Sequence, residues 1–326
     1  MTNQLLQPDL IDEILDNANE FCQTNSQDLL FTTAKPARTS ANKLSTFTKV
    51  RLSNLSVECN LKLSHYFEGI TMFDYINSNR MFKFESENWL KLGRVCNQLF
   101  RFLRTQCHLK ERLKSVRSSF VWQLMTCERH LKRNLDKLFV KGETQQKRDL
   151  VEKVLDEFER VSGNLSERPE HIQHGDLCNR NILAKLRARK EGGDEVEKYC
   201  IVDFQDLQVG PQVLDLSMMM LYGALEQELV PLELALRHIP HWLYKGYQQT
   251  ASSSCSLEEQ ELSFAPTLIK LRLCQSLLNG LVAAANLPDD AQKLYVLHTN
   301  QRGWQLLELM LNFANETLVG WWRDGP

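Results

Sequence analysis

The stretch "IQHGDLCNRNIL" (172–183), followed by "YCIVDFQD" (199–206), constrains the fold more than any other part of the chain. Two runs within it, "NILAKL" and "YCIVDF", have the length and apolar content of strands. Between them lies "LRARKEGGDEVEK" (186–198), which is rich in charge and carries a Gly-Gly pair. That is the composition of an exposed hairpin loop. The two runs therefore pair, and the residues just before the first strand face those just after the second. Asn181 and Asp203 come to one end of one hairpin, with Asp176 five residues before Asn181.

Residues of these types at this spacing suit phosphoryl transfer. That reaction asks the protein for a carboxylate that accepts or orients the proton of an acceptor hydroxyl. It also asks for ligands that hold magnesium against the phosphates. Asp176 is the candidate carboxylate. Asn181 offers a side-chain carbonyl and Asp203 a carboxylate to a hard cation. His174 can bond neighbouring backbone and fix the loop, and Gly175 allows a tight turn that a side chain would block. Asp206 can orient the loop, contribute to the metal site or simply cap a turn. Asp215 precedes the apolar "LDLSMMMLYGAL" and can bond backbone amides of the loop, a structural role more than a catalytic one. Cys178 reads as a small filler, since no partner base is implied. Met218, Met219 and Met220 read as core.

Around the hairpin the pattern is mostly helical. Residues 8–22 place Leu10, Ile11, Ile14, Leu15, Ala18, Phe21 and Cys22 on one face, with Pro8 and three acidic residues at the start. "TKVRLSNL" and "NLKLSHYF" within 29–67 read as strands, and a turn follows at Gly69. From about residue 85 helical stripes take over, beginning with Trp89, Leu92, Val95, Cys96, Leu99, Phe102 and Leu103. Leu150, Val151, Val154, Leu155 and Phe158 make another. Further helices are expected over 212–226, 230–248, 266–287 and 299–320, with Pro231 and Pro266 at helix starts. The expected class is α+β, with a small strand-bearing lobe over 1–70 and a large helical lobe over 71–326.

Charge excludes some partners. Lys and Arg number 39 against 41 Asp and Glu, so no global field favours nucleic acid. The nine cysteines form no CxxC pair and have no zinc-ligand spacing, which fits reduced thiols in the cytoplasm. The acidic N-terminal residues do not read as a leader peptide. No apolar run approaches the ~20 residues of a membrane span. "SLLNGLVAAANL" is the longest candidate, and it reads as a buried helix.

"HGDLCNRNIL", "IVDFQD" and the later "LDL" resemble the aminoglycoside phosphotransferase and choline kinase group, which has the protein-kinase-like fold. "SSFVWQLMTCERHLKRNL" (118–135), "LCQSLLNGLVAAANL" (273–287) and "RGWQLLELM" (302–310) are similar to segments of hydroxylysine kinases. The likeness covers roughly residues 60 to 315. It implies transfer of the terminal phosphate of GTP (or ATP) to the 5-hydroxyl of hydroxylysine, with magnesium. The acceptor class is an amino acid or amino alcohol. Asp176 would be the base, and Asn181 and Asp203 the metal ligands. "HYFEG" (65–69) would be the hinge, so that Tyr66, Phe67 and Glu68 meet the purine.

The same resemblance leaves the amino-terminal lobe short. Family members open with strands that cover the nucleotide and supply a lysine to its phosphates. A following helix supplies the lysine's acidic partner. Residues 8–22 look like that helix, with Asp12 or Glu13 as the partner, and the strands before it are missing. The first glycine is Gly69, so no glycine-rich loop precedes the hinge. Nothing places Lys35, Lys43 or Lys49 at the phosphates. Two readings follow: an active kinase represented by a shortened chain, or a kinase-like protein that binds without catalysis.

Overall fold

The computed structural model describes residues 13–14, 17, 29–32, 70–78, 86–117, 121–139, 145–188, 194–250, 257–298 and 300–326. Strands β1 (Leu29–Thr32) and β2 (Ile70–Thr71) come first. Helices α1 (Met72–Ser78), α2 (Ser86–Thr105), α3 (Lys110–Arg117), α4 (Glu128–Leu138) and α5 (Gln145–Ser166) follow. The centre of the chain is β3 (His171–Gln173), a 3-10 turn at Asn179–Asn181, β4 (Ile182–Ala188) and β5 (Asp194–Val202). A second 3-10 turn at Phe204–Asp206 leads into β6 (Gln208–Gly210). Then come α6 (Val213–Leu225), α7 (Leu232–Gln249), the one-turn helix Glu259–Leu262 and α8 (Ala265–Ala285). Helices α9 (Asp290–Leu297), α10 (Asn300–Leu311) and α11 (Asn315–Asp324) end the chain. The class is α+β, with a few short strands set into a helical body.

The hairpin forms as its composition requires. β4 and β5 are antiparallel, with Ile182 opposite Ile201 and Leu183 opposite Cys200. They run further than "NILAKL" and "YCIVDF", to Ala188 and back to Asp194, with an irregularity between Lys185 and Leu186. Charge does not end these strands because it sits on a solvated face, where Lys185 and Glu197 pair at 3.2 Å. One face of the hairpin carries Ile182, Ala184, Tyr199 and Ile201 into the main core. The other carries the small cluster Leu183, Cys200 and Val202.

β1 adds to β5 in parallel and β2 to β4 antiparallel, giving the order β1-β5-β4-β2. Both described strands of the first 71 residues therefore share the hairpin's sheet. The strands expected at 48–55 and 60–67, the turn at Gly69 and the lysines Lys35, Lys43 and Lys49 lie outside the described residues. Of the helix expected over 8–22, Glu13, Ile14 and Asn17 are described. All three are helical, and Ile14 is fully buried in the core.

α2 buries its expected stripe, with Trp89, Leu92, Phe102 and Leu103 wholly covered. It lies directly against α7. A Cβ on Gly93 would sit 2.1 Å from the carbonyl oxygen of Leu243, and one on Gly246 would sit 2.0 Å from that of Leu90. The two helices touch backbone to backbone, which only glycine permits at these positions.

α8 is buried on nearly every side, and its length exceeds the apolar run visible in the sequence. Lys270 and Arg272 stand ahead of that run, and both are buried and paired. The span Glu259–Ala285, which joins the one-turn helix to α8, is long and apolar enough, by length and composition, to cross a membrane. Its most apolar window is 61% buried within the protein, as in a core helix.

The helix expected over 299–320 divides into α10 and α11. Phe313 turns out of line to meet Trp321 at 4.8 Å between ring centroids. Asn315 restarts the helix and joins the buried Lys270–Glu157 pair. Trp322 is fully buried and donates its indole N–H to Leu236 O at 3.0 Å, which closes the C-terminal end onto α7.

Candidate functional site

β3 leads into the loop 174–181, and α6 holds that loop in place. Asp215, in the first turn of α6, accepts the backbone N–H groups of His174 (2.6 Å) and Gly175 (3.0 Å). Burial pushes its carboxyl above the usual range, against the pull of His174 and of these two amides. Gly175 has φ +83°, and a Cβ there would lie 2.0 Å from the carbonyl oxygen of Asp206. The turn therefore requires glycine twice over, for its dihedral and for its space.

The ring of His174 is buried, with Nε2 3.0 Å from Val202 O and Nδ1 3.4 Å from the backbone N of Asp176. A carbonyl can only accept, so Nε2 carries the proton and Nδ1 faces the amide. The imidazole thus ties the loop to the end of β5. Gln208 ties it from another side, donating from Nε2 to Gly175 O (3.2 Å) and accepting from Leu124 N (3.2 Å).

Asp176 projects from this fixed turn, and its side chain keeps 28% of its surface exposed. Each of its carboxylate oxygens has a partner. Oδ1 accepts from Arg272 Nη2 at 2.8 Å, and Oδ2 accepts from Asn181 Nδ2 at 2.9 Å. The same Asn181 nitrogen donates to the backbone oxygen of Asp176 at 2.8 Å. With its nitrogen so used, Asn181 has its carbonyl oxygen to offer elsewhere.

The β4–β5 register pairs Ile182 with Ile201, so Asn181 and Asp203 lie one and two residues beyond that pair at the same end of the hairpin. Asp203 has φ +66°, the only positive φ among the described non-glycine residues. Holding a non-glycine residue there costs about 1–3 kcal/mol, and such strain collects at functional sites. It turns the chain sharply off β5 into the 3-10 turn that carries Asp206. An amide oxygen and a carboxylate are hard donors that fit magnesium. No group of three His, Cys, Asp or Glu forms a metal cage among the described residues. Magnesium needs none, because it takes one or two protein carboxylates and fills its octahedron with phosphate oxygens and water.

The remaining loop residues also lean on α6. Asn179 donates to Tyr222 O (3.1 Å) and to Glu226 Oε2 (2.9 Å). Arg180 reaches Glu226 at 3.5 Å and His298 at 2.6 Å, and its guanidinium stands 3.7 Å from the centre of the Phe73 ring. Burial pushes the Cys178 thiol well up, so a reactive thiolate is disfavoured.

Residues 90–231 match the model of the ecdysteroid kinase-like family. Hydroxylysine kinase of Bos taurus is 27% identical over 72% of this chain and 58% of its own length. The enzyme of the same description from Mus musculus is 26% identical over the same shares. The chain thus spans less than two thirds of the length of these curated relatives. Among solved structures, an ethanolamine kinase of Plasmodium vivax matches 76% of this chain and 63% of its own at 15% identity. Its TM-score is 0.46.

The hairpin end gathers His174, Gly175, Asp176, Asn181, Asp203, Asp206 and Asp215. Glu13 does not join them. It sits beside α3, 3.1 Å from His108 and 3.8 Å from Arg112. Tyr66, Phe67 and Glu68 lie outside the described residues. Sequence reasoning missed Arg272, Gln208, Tyr222 and Glu226, which brace the loop. Arg272 alone left a trace: a cation inside an otherwise apolar helical run has to be paired if it is buried.

Proposed function

We propose that this chain is a small-molecule kinase that transfers the terminal phosphate of GTP or ATP, with magnesium, to a hydroxyl of an amino-acid-like acceptor. The acceptor best supported is 5-hydroxylysine, through the two relatives of that description. The reading is carried by one observation. Asp176, with both carboxylate oxygens fixed, stands at the hairpin end where Asn181 and the strained Asp203 converge.

In this reading Asp176 accepts a hydrogen bond from the acceptor hydroxyl and aims its oxygen at the phosphate, taking the proton as the bond forms. Each of its oxygens has a second lone pair free for that contact. Asn181, through Oδ1, and Asp203 would hold magnesium, which neutralises charge on the phosphate oxygens when bound. Asp215, His174 and Gln208 keep the loop from moving while this happens. We place the reaction in the cytoplasm.

A second reading is a kinase-like protein that binds nucleotide or metabolite without turnover. Phosphoryl transfer from GTP and from ATP to 5-hydroxylysine separates the two. The kinase reading expects magnesium-dependent product, with Asp176→Asn slowing turnover by about 10²–10⁴-fold. Wild-type turnover in that variant refutes Asp176 as the base. Magnesium-nucleotide binding without product in any form supports the second reading.

A further inference from the structure

We infer that Arg272 is the positioning residue of Asp176, fixing the carboxylate in the one orientation that meets the acceptor hydroxyl; this rests on the kinase reading above. Arg272 is only 3% exposed, and α8, which packs against α6, carries it to the loop. Its guanidinium is tied at three separate nitrogens. Nη2 donates to Asp176 Oδ1 (2.8 Å), Nη1 to Gln275 Oε1 (3.0 Å) and Nε to Tyr222 OH (3.3 Å).

The anchors are themselves anchored. Gln275 donates to Val121 O at 2.9 Å, and Tyr222 belongs to α6, the helix that pins the loop. The Trp122 ring covers the guanidinium, 4.8 Å from ring centre to Cζ. A planar fork held at three points cannot swing, so the oxygen it grips cannot swing either. Asn181 grips the other oxygen. The carboxylate plane is thereby set from two sides, while part of the group stays open to an acceptor.

Stability does not account for this pair. A buried ion pair is on balance no more stabilising than well-packed apolar residues of the same volume. Geometry does account for it. Lysine could supply the charge at 272, but a single ammonium could not reach Asp176, Gln275 and Tyr222 with a fixed fork.

The experiment is steady-state transfer to 5-hydroxylysine by the full chain as wild type, Arg272→Gln, Arg272→Lys, Asp176→Asn and the double variant Asp176→Asn/Arg272→Gln. A base misplaced by a fraction of an ångström to an ångström loses up to about 100-fold in rate, so Arg272→Gln is expected to lower kcat by about 30–100-fold. Both KM values stay put, and Arg272→Lys recovers part of the rate. In the Asp176→Asn background, removing Arg272 has no further effect, because its action passes through Asp176. An unchanged kcat, or the same loss with and without Asp176, overturns the inference. If Arg272→Gln does not fold, Arg272→Lys decides: a lowered kcat with intact KM supports the role, and wild-type kcat overturns it. Wild-type turnover in Asp176→Asn, or a wild-type chain that phosphorylates no acceptor, refutes the kinase reading and the inference with it. Loss in Asp176→Asn alone refutes only the role of Arg272.

Discussion

Glu226, at the C-cap of α6, sets up a pH dependence that can be worked out in advance. The residue is 4% exposed, and burial pushes its carboxyl from 4.5 to about 7. Arg180 at 3.5 Å and the Asn179 amide at 2.9 Å pull the other way without cancelling the burial. One pKa unit is about 1.4 kcal/mol, so this difference corresponds to about 3 kcal/mol. The sign follows from which state holds the proton more tightly. With its folded value above its unfolded one, Glu226 contributes stability that is complete below about pH 4.5. That contribution fades as pH rises and is gone above about 7. Glu226→Gln cannot ionise, keeps an oxygen for Asn179 and adds a donor. A partner for that donor is close by, since Asn179 Oδ1 is buried without a hydrogen bond. Urea unfolding of both forms between pH 4.5 and 8 is the assay. The variant should match wild type at the acid end and exceed it by about 3 kcal/mol at pH 8. A difference independent of pH refutes the reasoning. So does a variant weaker than wild type at pH 8, because the Arg180 contact would then outweigh the burial.

Two other substitutions probe the frame around the site. Gly175→Ala places a methyl against the Asp206 carbonyl at φ +83°. It should destabilise by at least about 3 kcal/mol in thermal unfolding, and a variant as stable as wild type contradicts the turn described. Lys270→Met strands Glu157, which would keep Thr267 and Asn315 but lose its cation. Calorimetry should show a loss of about 3–5 kcal/mol, largely recovered in Lys270→Met/Glu157→Leu. Equal stability of Lys270→Met and wild type would mean that the pair does not carry its charge in the fold.

The sequence is most legible where chemistry demands fixed spacing. The hairpin can be read because strand composition and a charged Gly-Gly loop coincide, and its register then brings Asn181 near Asp203 without further information. Asp215 can be read because an acid in the first turn of an apolar helix has few partners other than backbone amides. Arg272 cannot be matched to Asp176 in this way, since 96 residues separate them and only the packing of α8 makes the pair. The same limit applies to Gln208, whose partners Gly175 and Leu124 come from two different elements. Helix ends are misread where a tertiary contact outweighs local pattern, as where the 299–320 stripe breaks after Leu311 and restarts at Asn315, which reaches Glu157. These cases share one cause. Local sequence places the reacting groups, whereas the groups that hold them still come from distant helices, and their charge is tolerated only because the fold supplies the counter-charge. Arg272 on α8 and Asp215 on α6 both hold one loop, and Arg272 also bonds Tyr222 of α6, so a change in the packing of α8 against α6 is felt at Asp176.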